Sequence, residues 1–406
     1  MVLPDPARFT GLARQKNLLQ NVPREETKSP PFVFVLTDIV MPIEFRKRLN
    51  CLRRRLLDSG ASAVVVTHFP NILYLSGFTG SAGILLVELD RATLFTDGRY
   101  AVQAPQQVKL AGIRVVIPPG SILKAAGVHI GGLSRRARHV SVGFDPVNLT
   151  VAQHKEFRRS AGSRASWLAA SGWVEDLRLI KSDGELLKMR AAARLISKVF
   201  EQVFPLIRPG VTELDLSAEI DYRMRKLGAS GPSFETIVAS GPRAALPHAS
   251  PTSRRLRRNE LVVLDAGAIL ADYCSDMTRT VFIGRASSTV KSWYRAVLDA
   301  QTAATAALGA GIESGAPDAA ARGVLAAAGL DKHFLHSTGH GLGLEVHEAP
   351  RLAKGQKTKI QAGMVVTIEP GIYMEGVGGI RIEDDVAIHA NRTEVLTTTS
   401  RELLEL

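Results

Sequence analysis

Cysteine is close to absent from this chain. Cys51 and Cys274 are the only two in 406 residues, which excludes a disulfide framework and a cysteine-rich metal site. Their scarcity suits a reducing compartment, and the cytoplasm is the expected location. Long hydrophobic runs are missing too. None approaches the roughly 20 apolar residues of a membrane span, so no membrane partner is expected. The first 40 residues have no basic start, long apolar core or small-residue cleavage site, and do not read as a secretory leader. They carry several prolines and one short apolar run, Phe32 to Leu36, and read as a poorly ordered extension over residues 1–40. Met41, just before the first strong helical pattern, is a candidate natural start. No internal repeat stands out.

What is present is a globular composition, 45% hydrophobic and 22% charged, long enough for two ordinary domains. The net charge of +12 is lopsided. Residues 1–171 hold 23 Lys and Arg against 11 Asp and Glu, which is the whole excess, while residues 172–406 are balanced. Much of it falls in FRKRLNCLRRRLL, where Leu49, Leu52 and Leu56 recur at helical spacing with basic residues around the rest of the wheel. A solvated amphipathic helix accounts for that pattern, a polyanion-binding patch being the alternative. No nucleic-acid partner is expected.

From Met41 a helical pattern is followed by the strand-like runs SAVVVTH, ILYLSGF, GILLVEL, ATLFTDGRY and IRVVIP, with Asp97-Gly98 as a hairpin-turn dipeptide. A helix-rich stretch closes this part near Ser171, giving an α/β domain over residues 41–171. A second unit, residues 172–406, opens with a long helix from Asp183-Gly184 whose apolar positions are Leu187, Ala191, Leu195 and Val199. Further helices are expected at Glu213 to Leu227 and Lys291 to Leu308. Strands and helices then mix without regular alternation, so the fold class is α+β.

Two carboxylates stand out in LVVLDAGAILADYCSDMTRTVFIG. Asp265 lies in one apolar run and Asp276 in another, with Ile269 to Asp272 able to turn between them. A turn centred between Leu270 and Ala271 sets the two directly opposite, Cβ atoms roughly 5 Å apart, in the absence of a bulge. Like charges there are destabilising unless a proton or cation lies between them. Taken singly, either aspartate is as well explained as a turn or strand-end residue.

Three later segments bear on that choice. HSTGHGLGLEVHEAP holds His336, His340 and His347 among glycines that argue for a loop rather than a helix, with backbone coming close to something. No Lys-Ser/Thr follows, so it is no P-loop. MVVTIEPGIY is a strand carrying Glu369 and ended by Pro370. In IRIEDDVAI, Ile380, Ile382, Val386 and Ile388 share one face, and Arg381, Glu383 and Asp385 the other. Asp265, Asp276, Glu369 and Glu383 each lie in an apolar, glycine-rich strand, where an uncompensated carboxylate is expensive to bury. With one imidazole they would hold two divalent ions, Mn²⁺ by preference, with Co²⁺ or Zn²⁺ as alternatives. That is hydrolytic chemistry.

The ordered set VLDAGA…SDMTRTVFIG, HSTGHGLGLEVHE, TIEPGIY and GGIRIEDD resembles the methionine aminopeptidase, prolidase and Xaa-Pro aminopeptidase superfamily, which shares the pita-bread fold. FETIVASGPRAALPHASPTSRRL resembles a segment of its proline-specific members. NILYLSGFTGSAGILL and LFTDGRYAVQA resemble the N-terminal domain of the Xaa-Pro aminopeptidase and creatinase group. The resemblance runs from about Met41 to the end. It implies a creatinase-type N-terminal domain and a pita-bread catalytic domain.

By that resemblance Asp265 and Asp276 would ligate one metal and His340 with Glu369 the other, while Asp276 and Glu383 bridge. A shared hydroxide would attack the scissile carbonyl, with Glu369 relaying its proton. His248 and His347 would steady the substrate and the developing oxyanion, and His336 and Arg381 would fix ligands and charge. The expected activity is that of an Xaa-Pro aminopeptidase on peptides with proline second, in a homodimer or higher homo-oligomer. The alternatives are a prolidase restricted to Xaa-Pro dipeptides and a binding module without catalysis. Cys274 reads as a small buried strand residue.

Overall fold

Leucines three and four residues apart build the first helix, α1 (Thr37–Ser59). Leu49, Leu52 and Leu56 are buried. Its basic side chains are in good part engaged: Arg48 on the Tyr74 carbonyl, Arg53 on the Glu88 carbonyl and Arg55 on Asp176. The computed structural model describes residues 37–133 and 139–406, so the expected extension, up to residue 36, lies outside the described residues.

The N-terminal part continues with β1 (Ala63–Val66), α2 (Phe69–Ser76), β2 (Ile84–Glu88), β3 (Ala92–Phe95), α3 (Gln103–Val108), β4 (Arg114–Val116), α4 (Ile122–Leu133), β5 (Val140–Phe144), α5 (Val151–Ala161) and β6 (Ala165–Ala169). The strands form one mixed sheet in the order β4-β3-β2-β1-β5-β6. Val64 and Val66 face a core shared with α1 and α2, and Ala63 and Val65 one shared with α4 and α5. With both faces covered, the strands read as unbroken apolar runs. Three expectations are corrected here. ILYLSGF is mostly helix α2 rather than strand, because Pro70 sits in its first turn and Gly77 closes it at φ 76°. Asp97-Gly98 makes no hairpin; the Asp97 carboxylate instead caps a short 3-10 turn through Arg99 N. The stretch toward Ser171 contains β5 and β6 as well as helices.

A short helix, α6 (Glu175–Arg178), still packs on the N-terminal core through Val174 and Leu177, and the second part then holds α7 (Asp183–Val203), α8 (Glu213–Lys226), β7 (Gly231–Pro232), β8 (Ile237–Ser240), β9 (Glu260–Ala266), β10 (Ala268–Leu270), β11 (Tyr273–Cys274) and β12 (Met277–Ile283). After these come α9 (Ser288–Ala306), α10 (Ala316–Ala327), β13 (Gly339–Gly341), β14 (Glu348–Leu352), β15 (Val365–Ile368), β16 (Gly371–Met374), β17 (Gly378–Arg381), β18 (Asp384–Ile388), β19 (Thr393–Val395) and β20 (Leu404–Glu405). Helices α7 and α8 cover the sheet β20-β12-β9-β8, and α9 and α10 pack on a core with β15 to β18. A capping box between Ser182 and Glu185 starts α7. Its buried face runs through Leu186, Met189, Ala193, Ile196 and Phe200, whereas Leu187, placed on that face from sequence, is 56% exposed. No helix among the described residues is long and apolar enough to cross a membrane.

The hairpin carrying the two aspartates turns one residue later than expected. Ala271 and Asp272 both have positive φ, 49° and 73°, and form a two-residue loop. Asp265 therefore pairs with Thr278, not Asp276. A shift of two residues preserves the face, so the two carboxylates stay on one side of the ladder as diagonal neighbours.

Candidate active site

Each carboxylate arrives on its own segment. Asp265 lies on β9, and Asp276 just before β12. His340 is the middle of β13, Glu369 directly follows β15, and Glu383 lies between β17 and β18. The expected loop around His340 is in fact a strand between β14 and β15. Gly339 and Gly341 flank it because a Cβ on either would lie 2.0 Å from the carbonyl oxygen of Thr367 or Ala349. Glycine is therefore required there by the close approach of neighbouring strands.

Ligand atoms of Asp276, His340 and Glu383 all fall within 4.8 Å of one another. His340 Nε2 is 3.8 Å from Asp276 Oδ2 and 3.6 Å from Glu369 Oε1. His340 Nδ1 donates to the Gly341 carbonyl at 3.0 Å, which leaves Nε2 with a free lone pair. Burial pushes the His340 pKa down to about 4, against that hydrogen bond, so the ring is neutral at physiological pH. Arg381 donates to Asp265 Oδ2 at 2.7 Å, and the Thr278 hydroxyl to Glu383 Oε2 at 2.6 Å.

The remaining candidates surround this group. His336 Nε2 accepts from the Tyr373 hydroxyl at 2.7 Å, which itself accepts from Arg381 at 2.7 Å. Its Nδ1 donates to the Ser337 carbonyl, and burial lowers its pKa to about 4. The His347 ring is 4.4 Å from that of His340. His248 is exposed on a loop anchored by Arg381, which donates to the Pro247 carbonyl at 3.2 Å. It is close enough to bear electrostatically on both His336 and His347.

Sequence reasoning passed over Tyr373, although the phenol joins Arg381 to His336. Asp385, placed on the polar face but given no role, accepts from Asp276 N at 3.1 Å. Asp384, on the opposite face, pairs with buried Arg279 at 2.7 Å. A polar residue interrupting the apolar alternation of IRIEDDVAI was the available signal.

Burial, then Glu383 and Asp265, hold the Asp276 pKa well above the usual carboxylate range. Burial, then Glu369 and Asp265, do the same for Glu383. Glu369 is pushed up to about 8, chiefly by burial, with Arg381 opposing and Asp265 adding. The buried Oδ1 atoms of Asp265 and Asp276 have no hydrogen-bond partner among the described residues. Divalent cations meet both deficits by cancelling the repulsion and occupying the lone pairs. The residues present fit them.

Comparison with known proteins places the chain in a family. The family description "Metallopeptidase family M24" matches residues 187–390, and "Creatinase/Prolidase N-terminal domain" matches residues 48–180. The chain belongs to metallopeptidase family M24. It joins a creatinase-type N-terminal domain to a pita-bread domain, and the family makes it a hydrolase. An Xaa-Pro dipeptidase from Pyrococcus horikoshii is 34% identical, over 90% of this chain and 99% of that protein. The solved Xaa-Pro dipeptidase from Bacillus anthracis shares 37% identity at a TM-score of 0.84, covering 89% of this chain and 100% of that one. The X-Pro aminopeptidase from Thermotoga maritima shares 33% at a TM-score of 0.80, covering 87% and 99%.

Proposed function

We propose that this M24 enzyme is an Xaa-Pro dipeptidase. The observation that carries the metallopeptidase chemistry is the close group Asp276, His340 and Glu383, with Glu369 3.6 Å from His340 and the partnerless oxygens of Asp265 and Asp276. These five would hold two divalent cations; oxygen-rich ligation with one neutral imidazole suits Mn²⁺, with Co²⁺ or Zn²⁺ as alternatives. Bound there, the cations supply Lewis acidity and a water activated at neutral pH. Glu369, between His340 and His336, would take a proton and pass it toward the leaving nitrogen. His347 and His248 would steady the substrate and the developing negative charge on its carbonyl oxygen, and the Arg381–Tyr373–His336 chain would fix Asp265 and exclude water.

Proline as the substrate's second residue follows from the relatives' names and from chemistry. An Xaa-Pro bond has no amide N–H and a fixed φ, so peptidases that read an extended N–H ladder fit it poorly. The dipeptidase reading replaces the aminopeptidase expected from sequence. The N-terminal resemblance to the Xaa-Pro aminopeptidase and creatinase group does not discriminate, because this chain spans 99–100% of proteins named dipeptidase, N-terminal domain included. The aminopeptidase remains the second reading, favoured by the likeness to the Thermotoga protein. Scarce cysteine suits the cytoplasm as its location.

Hydrolysis of Xaa-Pro and Xaa-Pro-Yaa peptides, with Mn²⁺, Co²⁺ or Zn²⁺ and with chelator, separates these readings. The dipeptide is expected to be the better substrate and chelator to abolish its cleavage. Equal or faster cleavage of the tripeptide makes the enzyme an aminopeptidase. No cleavage of either with any of the three metals overturns the enzymatic reading and favours a binding module.

A further inference from the structure

His347 presents a problem of support. Its exposed ring makes no hydrogen bond among the described residues and stands edge-on to the His340 ring, 4.4 Å away. Its position therefore depends on the backbone that carries it. That backbone is held on both flanks, by Glu345 and Glu348, and both carboxylates converge on one buried guanidinium. Arg178 donates to Glu345 Oε2 at 2.7 Å and to Glu348 Oε1 at 2.6 Å, while its other terminal nitrogen donates to Asn71 Oδ1 at 2.7 Å.

Two further side chains complete the arrangement. Lys181 Nζ lies 3.1 Å from Glu348 Oε2, and His68 Nε2 lies 2.9 Å from Glu345 Oε1. Glu348 Oε1 also accepts the backbone N–H of Glu345 at 3.2 Å, closing the turn around His347. Asn71 is held in turn by donation to Glu175 Oε1 at 2.6 Å. His68, Asn71, Glu175 and Arg178 all fall in the segment matched by the creatinase-type domain, and Glu345, His347 and Glu348 in the M24 segment.

We propose that Arg178 is a positioning residue for His347, through which the N-terminal domain of the same chain sets the geometry of the active site. The planar fork of arginine reaches two carboxylates and an amide at once, which a lysine ammonium on its flexible stem does not reproduce. The proposal rests on the M24 peptidase reading for its catalytic consequence, but the clamp itself is testable without it.

The test is a double-mutant cycle on the metal-loaded full chain, with Glu345→Gln as the mild perturbation. Glu345 is partly exposed at 36%, so its neutral isostere leaves folding intact. Glu345→Gln is expected to lower kcat about tenfold with KM little changed. On a His347→Ala background it should cost less than twofold, because the group it positions is already gone. Arg178→Lys should resemble Glu345→Gln rather than the parent. Bound Mn²⁺ per chain stays the same in all variants.

Hydrogen exchange at residues 343–348 supplies a readout independent of turnover. It should quicken at least tenfold in Glu345→Gln and Arg178→Lys, with α7 and α9 unchanged. Multiplicative losses in the cycle, or unchanged exchange in that loop, overturn the proposal. A parent protein that cleaves no peptide sinks the peptidase reading, while the exchange result still decides the clamp.

Discussion

Stripping the metal from this protein should make its stability fall as pH rises, contrary to the usual behaviour of buried carboxylates that find partners. The reason lies in Glu369, whose pKa is raised from 4.5 to about 8, first by burial. In the unfolded chain it releases its proton near 4.5, and in the metal-free fold only near 8. Between those values the native state holds the extra proton, so raising pH favours unfolding. The stabilisation is fully present below about 4.5 and lost as pH passes through about 8. That displacement corresponds to about 5 kcal/mol. At an unfolding entropy of about 2.1 cal/mol/K per residue, that lowers the midpoint by about 6 °C for a cooperative unit of this size. Asp276 and Glu383 are displaced in the same direction and steepen the slope. Thermal unfolding at pH 5, 6, 7 and 8 in chelator, against the same series in saturating Mn²⁺, measures it. Glu369→Gln in chelator should lose the Glu369 share of the slope. A chelated midpoint that is flat or rises with pH, or a Glu369→Gln variant retaining the whole slope, refutes the reasoning.

Three further outcomes are expected. Tyr373→Phe removes the hydroxyl joining Arg381 to His336 and should lower kcat about 10–100-fold with Mn²⁺ content unchanged, read by steady-state kinetics and metal analysis. Arg279→Met leaves buried Asp384 without its 2.7 Å ion pair and with Arg401, 3.8 Å away, as its remaining cation, and should cost about 3–5 kcal/mol in urea unfolding, part of which Asp384→Asn recovers in the double variant. Gly267→Ala would set a Cβ 1.9 Å from the Ser275 carbonyl oxygen and 2.1 Å from Ser233 Oγ; a loss exceeding about 4 kcal/mol, seen as insolubility or a collapsed melting point, is expected.

The candidate ligands stood out in the sequence because a carboxylate inside an apolar strand is costly, and residues of one kind at alternate positions share a face. That alternation put Arg381, Glu383 and Asp385 together without knowledge of their partners. Register was harder to read. Ala271 at positive φ is a poor turn residue on propensity, so the hairpin appeared to turn one residue earlier, and only the parity of the shift kept Asp265 and Asp276 on one face. The run ILYLSGF, apolar nearly throughout, has no period to separate strand from helix; Pro70 and Gly77 carried the decision. Leu187 illustrates the same ambiguity on α7, where a helix with many apolar residues offers more than one plausible face. Tyr373 and Glu213 were illegible for another reason: their partners lie 8 to 39 residues away along the chain, and no local pattern encodes such contacts.

The contrast between two kinds of buried carboxylate explains the centre best. Fully buried Glu213 accepts five hydrogen bonds, from Ser240 N and Oγ, Thr252 N and Oγ1, and Arg243. Burial alone would raise its pKa, yet the bonds from Thr252 and Ser240 hold it below the usual range. Glu348 is treated likewise, burial being overruled by Lys181 and Arg178. Both carboxylates brace backbone near a site histidine: Glu213 grips the two ends of the loop carrying His248, and Glu348 the turn carrying His347. This fold therefore readily satisfies a buried carboxylate with donors. At Asp276, Glu369 and Glu383 it supplies too few donors and crowds like charges together, beside a histidine kept neutral. Donors added there would compete for the oxygen lone pairs that a cation needs. The shortfall is thus what would distinguish ligands from braces: a chain that can satisfy Glu213 so completely would leave Asp276 short if the partner proposed for it is an ion rather than a side chain.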